Sequence, residues 1–211
     1  MGERLNGIQE VVGSIPISST NLLALMAIII WPMIPLFWVP VHFGHRFFRG
    51  IGLLTYLLPI VTWLPIAYLI YQNRGFLLQY RIEFAIVLNM AGILLLAIGT
   101  LLHIWTGLLL GLWGLIGLPE IGARKEMRLM AEGPFAVVRH PTYLAHLLMF
   151  SGVFLITGVI ASGIVAILDL IAAIALIIPL EERELSARFG KEYELYKKRV
   201  PRFFPLHKRL D

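Results

Sequence analysis

PTYLAHLLMFSGVFLITGVIASGIVAILDLIAAIALIIPL, residues 141–180, holds one acidic residue, Asp169, and no lysine or arginine. About 20 apolar residues cross a bilayer core, so this run is long enough to cross twice. Ala161-Ser162-Gly163 has room only for a tight turn. That predicts one span from Pro141 to about Ile160, another from about Ile164 to Leu180, and an antiparallel hairpin between them. Pro141 suits the first turn of a helix, where its missing N–H had no partner anyway.

Three further apolar runs lie upstream, at about 21–43, 51–71 and 81–110. The first contains Trp31, Pro32, Pro35 and Pro40, and a bent helix is expected there. Residues 42–50, HFGHRFFRG, form a basic and aromatic connector of the kind found at membrane interfaces. Gln72-Asn73-Arg74-Gly75 reads as a turn, and the glycine-punctuated residues 111–122 end the third span gradually. With 58% hydrophobic and 15% charged residues, against roughly 25% charged in a soluble domain, the expected fold is an all-α integral membrane protein of about five transmembrane helices. Residues 1–20 read as a leader without a cleavable signal pattern. No cysteine is present, which excludes disulfides, a thiol nucleophile and thiolate metal sites.

Five spans put the two termini on opposite sides. The tail side then carries 15 of the 18 Lys and Arg residues, leaving Arg4, Arg74 and Arg81 on the other. The positive-inside rule places the N-terminus outside and the 111–140 loop and C-terminus in the cytoplasm. The net charge of +5 is read through that topology rather than as affinity for nucleic acid. After the hairpin, Leu185, Phe189, Tyr193, Tyr196 and Val200 recur at helical steps with charged residues between them. Gly190 is where this helix would divide, and Pro201 ends it. An amphipathic tail of this kind suits the membrane interface.

The chemistry concentrates where the hairpin begins and ends. Arg139-His140-Pro141-Thr142-Tyr143 opens it, and Glu181-Glu182 follows it after Pro179. The hairpin returns the chain to the face it left, so these half-sites are neighbours in space. A helix N-terminus favours an anionic group, and Arg139 can hold a carboxylate in a bidentate fork. Glu181 and Glu182 can accept from an ammonium or from ribose hydroxyls, and Tyr143 and Phe135 offer ring faces to a flat group or a cation. A ligand at once zwitterionic, cationic and aromatic fits that set, as S-adenosylmethionine does. The same residues would also serve a plainer purpose, with Arg139 and His140 on lipid phosphate and the glutamates at a solvated helix start. Asp169, alone inside the apolar run, is expected to be paired or functional, with Asn89 or His146 as partner. His103 and Trp105 suit packing as well as ligand contact. His146 follows His140 by six residues, not the spacing of a helical metal site.

These residues carry a resemblance. GPFAVVRHPTY at 133–143, the hairpin, and EERELSARFGKEYELYKKRVPRFFP at 181–205 resemble the isoprenylcysteine carboxyl methyltransferase family. They are also similar to the wider group of membrane methyltransferases that includes phospholipid N-methyltransferases. The resemblance covers about residues 111–205. It implies an S-adenosylmethionine-dependent membrane methyltransferase, with cofactor at the cytosolic face and a lipophilic acceptor, prenyl-like or phospholipid, entering from the membrane. By position it implies cofactor contacts from Gly133, Pro134, His140, Pro141 and Tyr143 on one side and Glu181 and Glu182 on the other. Arg139 would orient a carboxylate of cofactor or substrate, and Arg139 and Glu182 would be catalytic. No metal is implied. Ala145 stands where the family often has glycine. A carboxylate acceptor needs no general base, whereas an amine or thiol needs one, for which His140, Glu182 and His146 are candidates. The chain thus divides into the leader, three spans at 21–110 and a methyltransferase-like region at 111–211. The short loops suit a prokaryotic plasma membrane, and the sequence does not set the oligomeric state. Membrane sterol and steroid reductases share a similar hairpin and tail but use NADPH; they lack the R-H-P-x-Y string. A transporter or scaffold subunit would show polar stripes along its spans, which are absent.

Overall fold

The computed structural model describes residues 19–115 and 128–203. Nearly all of the leader, most of the 111–122 stretch, Arg124, Lys125 and the chain beyond Phe203 lie outside the described residues. The protein is an all-α integral membrane protein, and among the described residues four helical stretches are long and apolar enough to cross a membrane: Ser19–Phe43, Gly52–Gln72, Ile86–Gly111 and Ile160–Phe189.

The first stretch is two helices, α1 (Ser19–Ile30) and α2 (Met33–Phe43). They part at Trp31-Pro32, where proline supplies no N–H to the helical ladder. Trp63 Nε1 donates to Ile29 O at the break, at 2.6 Å. A short α3 (His45–Ile51) and a 3₁₀ turn (Gly52–Tyr56) lead to α4 (Leu57–Gln72), then α5 (Arg74–Gln79) and α6 (Ile86–Leu115). The third span therefore starts at Ile86, not near Arg81. Residues 80–82 are extended instead and pair with the hairpin turn: Ile82 N donates to Gly158 O at 2.8 Å and Ile160 N to Tyr80 O at 3.0 Å.

The single turn α7 (Pro134–Val137) precedes the hairpin of α8 (Pro141–Thr157) and α9 (Ile160–Ala172). At 17 residues, α8 is a shorter apolar helix beside those four and rises about 26 Å. The hairpin turns at Gly158, not at 161–163. Gly158 takes φ 65° as the left-handed cap of α8, and a side chain there would run into Ile82 O. Ser162 and Gly163 are already helical, with Ser162 Oγ bonded to Val159 O at 2.7 Å. Beyond α9 the helix does not stop at Leu180. A π turn (Ala173–Ile177) widens it just before Pro179, whose ring would collide with the carbonyl four residues back in a regular helix. The helix then continues as α10 (Ile178–Phe189). Glu181 and Glu182 consequently sit inside a helix rather than at a solvated start.

Gly190, at φ 54°, ends α10, and α11 (Lys191–Arg199) folds back. The stripe Tyr193, Tyr196 and Val200 is buried against Leu129, Leu185 and Phe189, so that face of the tail turns to protein. The other tight contact is α6 on α8. A Cβ on Gly92, Gly99 or Gly152 would lie 2.7–2.8 Å from atoms of the opposing helix, the close approach that small residues permit in membranes. Ala145 is fully buried, and its carbonyl faces Gly99. Gly99 thus meets Ala145 across the contact.

Candidate functional site

The polar end of the hairpin is built around Glu182. Its carboxylate, 7% exposed, accepts from three cationic side chains. Arg139 Nε and Nη2 donate to Oε1 at 3.1 and 2.8 Å, and His140 Nε2 lies 3.1 Å from the same oxygen. Arg202 Nε donates to Oε1 at 3.1 Å and its Nη2 to Oε2 at 2.6 Å. Arg139 Nη1 donates in addition to Lys197 O (3.1 Å) and Val200 O (2.6 Å). Backbone bonds close the same joint, Arg139 N to Pro201 O at 2.9 Å and His140 N to Arg202 O at 3.3 Å. Arg139, expected to hold a ligand carboxylate, spends four hydrogen bonds on the protein itself. It ties the tail to the hairpin.

Glu181 differs from its neighbour. His140 Nδ1, 3.3 Å from Oε2, is its ion-pair partner, whereas Glu182 has two arginines as well. His140 is therefore held between two carboxylates. Burial opposes its charge, but Glu181 and Glu182 together outweigh that and raise its pKa above the ordinary 6.5. A raised pKa stabilises the fold below about 6.5, and the contribution is lost as pH rises through the folded-state value. Unfolding temperature in detergent is accordingly expected to fall as pH is raised above about 6.5, with a flatter profile in His140→Gln. An equal slope in that variant would contradict the charged bridge.

A cavity of about 510 Å3 opens beside this joint, within the ~300–1,000 Å3 typical of ligand pockets. Its polar end is lined by His140, Tyr143, Glu181 and Tyr193, with the Phe135 and Phe189 rings. Its apolar end is lined by Ile30, Met33, Ile34, Phe37 and Trp38 of the first span. Tyr56 and Pro59 also line it, with His103 and Leu110 of α6, so the first two spans do form part of the wall. Tyr193 is 1% exposed, and its buried hydroxyl has no hydrogen-bond partner among the described residues. Burial first, then the nearby Glu182, pushes its pKa up and keeps it a neutral donor.

Of the residues expected at a cofactor or in catalysis, Arg139, His140, Tyr143 and Glu181 line the cavity. Glu182 stands behind them in the ion-pair cluster. Gly133 takes φ 57° and packs on Leu109 and Trp105, while Pro134 and Pro141 are buried at the starts of α7 and α8. These three shape the backbone that carries Arg139 and His140. Asp169 pairs with neither Asn89 nor His146 among the described residues: Trp31 Nε1 donates to Oδ1 at 3.2 Å. Sequence reasoning gave Arg202 no role and Tyr193 only a place on the apolar face of the tail, although both lie in the 181–205 string that carries the resemblance. It also missed His42, which lies 2.9 Å from Glu184 and so joins α2 to α10. Among the described residues no three His, Cys, Asp or Glu side chains gather as a metal site.

Residues 87–192 match the phospholipid methyltransferase family. That is half of the chain, from α6 to the start of α11. The chain belongs to that family. It is similar to the cobalt-zinc-cadmium resistance protein CzcN of Cupriavidus metallidurans, 34% identical over 85 residues, 40% of this chain and 39% of that protein. It is likewise similar to the protein-S-isoprenylcysteine O-methyltransferase of Schizosaccharomyces pombe, 34% identical over 82 residues, 39% of this chain and 35% of that protein. The chain thus spans under two fifths of the length of the curated relatives it matches. No solved structure matches it. The family match contains the hairpin, Arg139, His140, Glu181 and Glu182, and stops short of Tyr193 and Arg202.

Proposed function

We propose that this protein is an S-adenosylmethionine-dependent methyltransferase that modifies a lipophilic acceptor at the cytosolic end of its helix bundle. The observation that carries the reading is the cavity: one chamber whose walls are polar and aromatic beside the family's Arg-His and Glu-Glu pairs and apolar beside the first span. The donor set suits a sulfonium nucleoside. Glu181 offers negative charge to a cation, Tyr193 has a buried hydroxyl to satisfy, and the Phe135, Tyr143 and Phe189 faces suit an adenine or a sulfonium. Bound S-adenosylmethionine supplies an electrophilic methyl group. The protein's own part is to place an acceptor in line with it and exclude water. Arg139, Glu182 and Arg202 hold the tail over the chamber, so Tyr193 and Tyr196 form its lid side.

Entry from the bilayer is favoured by the packing of α6. Among the described residues α6 packs chiefly on α8 and α7, and α4 chiefly on α1, α2 and α5. Tyr56, Pro59 and the α6 residues His103 and Leu110 all line the cavity, and neither α4 nor α6 has the other as a chief packing partner. The Schizosaccharomyces relative is named for methylating a prenylated cysteine, a lipophilic acceptor of the kind proposed for this chain. The test is transfer of tritiated methyl from S-adenosylmethionine into the organic extract of membranes. Membranes bearing the wild-type chain should label above vector controls and those bearing Glu181→Gln should not; equal labelling in all three would overturn the reading.

A further inference from the structure

Resting on the methyltransferase reading, we propose that Arg188, held in place by Glu184 and His42, receives an anionic oxygen group of the bound ligand, the donor's carboxylate or an acid group at the head of the acceptor. Among the described residues three arginines line the cavity, Arg128, Arg139 and Arg188. Arg139 is engaged by Glu182 and two backbone carbonyls. Arg128 is 83% exposed and turns to Glu132, four residues on, a kind of pair that contributes little in water. Arg188 differs from both. Its Nη2 donates to Glu184 Oε1 at 2.7 Å, and among the described residues its Nε and Nη1 make no hydrogen bond. A guanidinium carries five N–H donors in a fixed plane, so most of them are left to what the cavity holds.

The support behind Arg188 is what a surface ion pair lacks. Glu184 is 9% exposed, and its other oxygen lies 2.9 Å from Nδ1 of His42, itself 2% exposed. A joint between α2 and α10 would need only those two. The chain of contacts nevertheless runs on to Arg188, which is 21% exposed and so within reach of a ligand. Trp38 stacks on the His42 ring at 5.3 Å, and the Arg188 guanidinium carbon lies 5.9 Å from the centre of the Phe189 ring, within cation–π range. Trp38 and Phe189 line the cavity with Arg188. The arginine is thus fixed on two sides and open on the third. Glu181, Leu185 and Arg188 follow one another at steps of four and three, share one face of α10 and line the cavity. Glu181 and Arg188 are separated by about 10 Å of helix rise. That face offers negative charge at one end and positive charge at the other. A ligand with both charges lies along α10, its cationic group toward Glu181 and its anionic group toward Arg188, where charge-assisted hydrogen bonds receive it.

Calorimetric titration of the full chain in lipid nanodiscs tests the assignment and separates the two sources of the anion. S-adenosylhomocysteine carries the donor's carboxylate and 5′-methylthioadenosine lacks it, while glycerol 3-phosphate is an acid head without chains. With the donor as source, Arg188→Gln should bind S-adenosylhomocysteine about 10-fold or more weaker, the loss expected for hydrogen bonds to a charged group, and 5′-methylthioadenosine as wild type does. With the acceptor as source, S-adenosylhomocysteine should keep its affinity, and saturable binding of glycerol 3-phosphate to wild type should vanish in Arg188→Gln. Arg188→Lys keeps a cation beside Glu184 but not the planar group, so it should fold and show a smaller loss of the same kind. Neither effect in either variant, or equal weakening of S-adenosylhomocysteine and 5′-methylthioadenosine, overturns the inference and leaves the methyltransferase reading intact. Failure of the wild-type protein to bind S-adenosylhomocysteine overturns both.

Discussion

Glu182→Gln is expected to lower the stability of the purified protein by about 3–5 kcal/mol, the usual cost of removing one partner from a buried ion pair. The variant leaves Arg139, His140 and Arg202 facing an amide. The amide NH2 must stand opposite a donor, because both oxygens of Glu182 now accept from arginine. The joint that fails is the one holding residues 197–202 to Arg139 and His140. Trypsin should therefore cut at Lys197 and Lys198 much faster than in wild type. Glu181→Gln is the comparison: its contacts with His140 and Tyr143 involve no residue of the tail, so it should lose ligand while Lys197 and Lys198 stay protected from trypsin. Glu182→Gln with wild-type melting and proteolysis would show that the cluster does not hold the tail.

The second large effect is at the α6–α8 crossing. A Cβ on Gly152 would sit 2.7 Å from Gly92 O and from Leu96 N. These are backbone atoms of a helix and cannot swing aside as a side chain can. Overpacking in a rigid core costs about 1–3 kcal/mol, and more where backbone must move. Gly152→Ala is expected near that range and Gly152→Leu beyond it, with loss of a monodisperse peak on size exclusion in detergent. Wild-type melting in Gly152→Leu would mean that the helices do not cross this closely.

Much of this architecture was legible because membranes simplify the code. The 141–180 run could only be a hairpin, and a hairpin brings Arg139-His140 to Glu181-Glu182 whatever its details. Its turn was harder to read. Ser162-Gly163 carries the stronger local signal, yet Gly158 wins because the turn must also meet the extended residues 80–82. The end of the hairpin's second helix was hidden for a related reason: Pro179 looks like a stop, and a π turn absorbs it. The site's residue types could be read, but not its wiring. Arg139 looked free for a ligand because two of its acceptors are backbone carbonyls about 60 positions away, which no side-chain pattern reveals. The His103–His146 ring contact and the Asp169–Trp31 bond depend on helix rotation, and a helix apolar on every face gives no clue to that.

The most direct test of the central claim is calorimetric titration of the nanodisc-embedded protein with S-adenosylhomocysteine, with NADPH in parallel. Saturable binding of S-adenosylhomocysteine alone is predicted. It should be weakened strongly in Glu181→Gln and by about 0.5–1.5 kcal/mol in Tyr193→Phe, the worth of one hydrogen bond. Binding of NADPH in place of S-adenosylhomocysteine, or S-adenosylhomocysteine affinity untouched by both substitutions, would contradict the account.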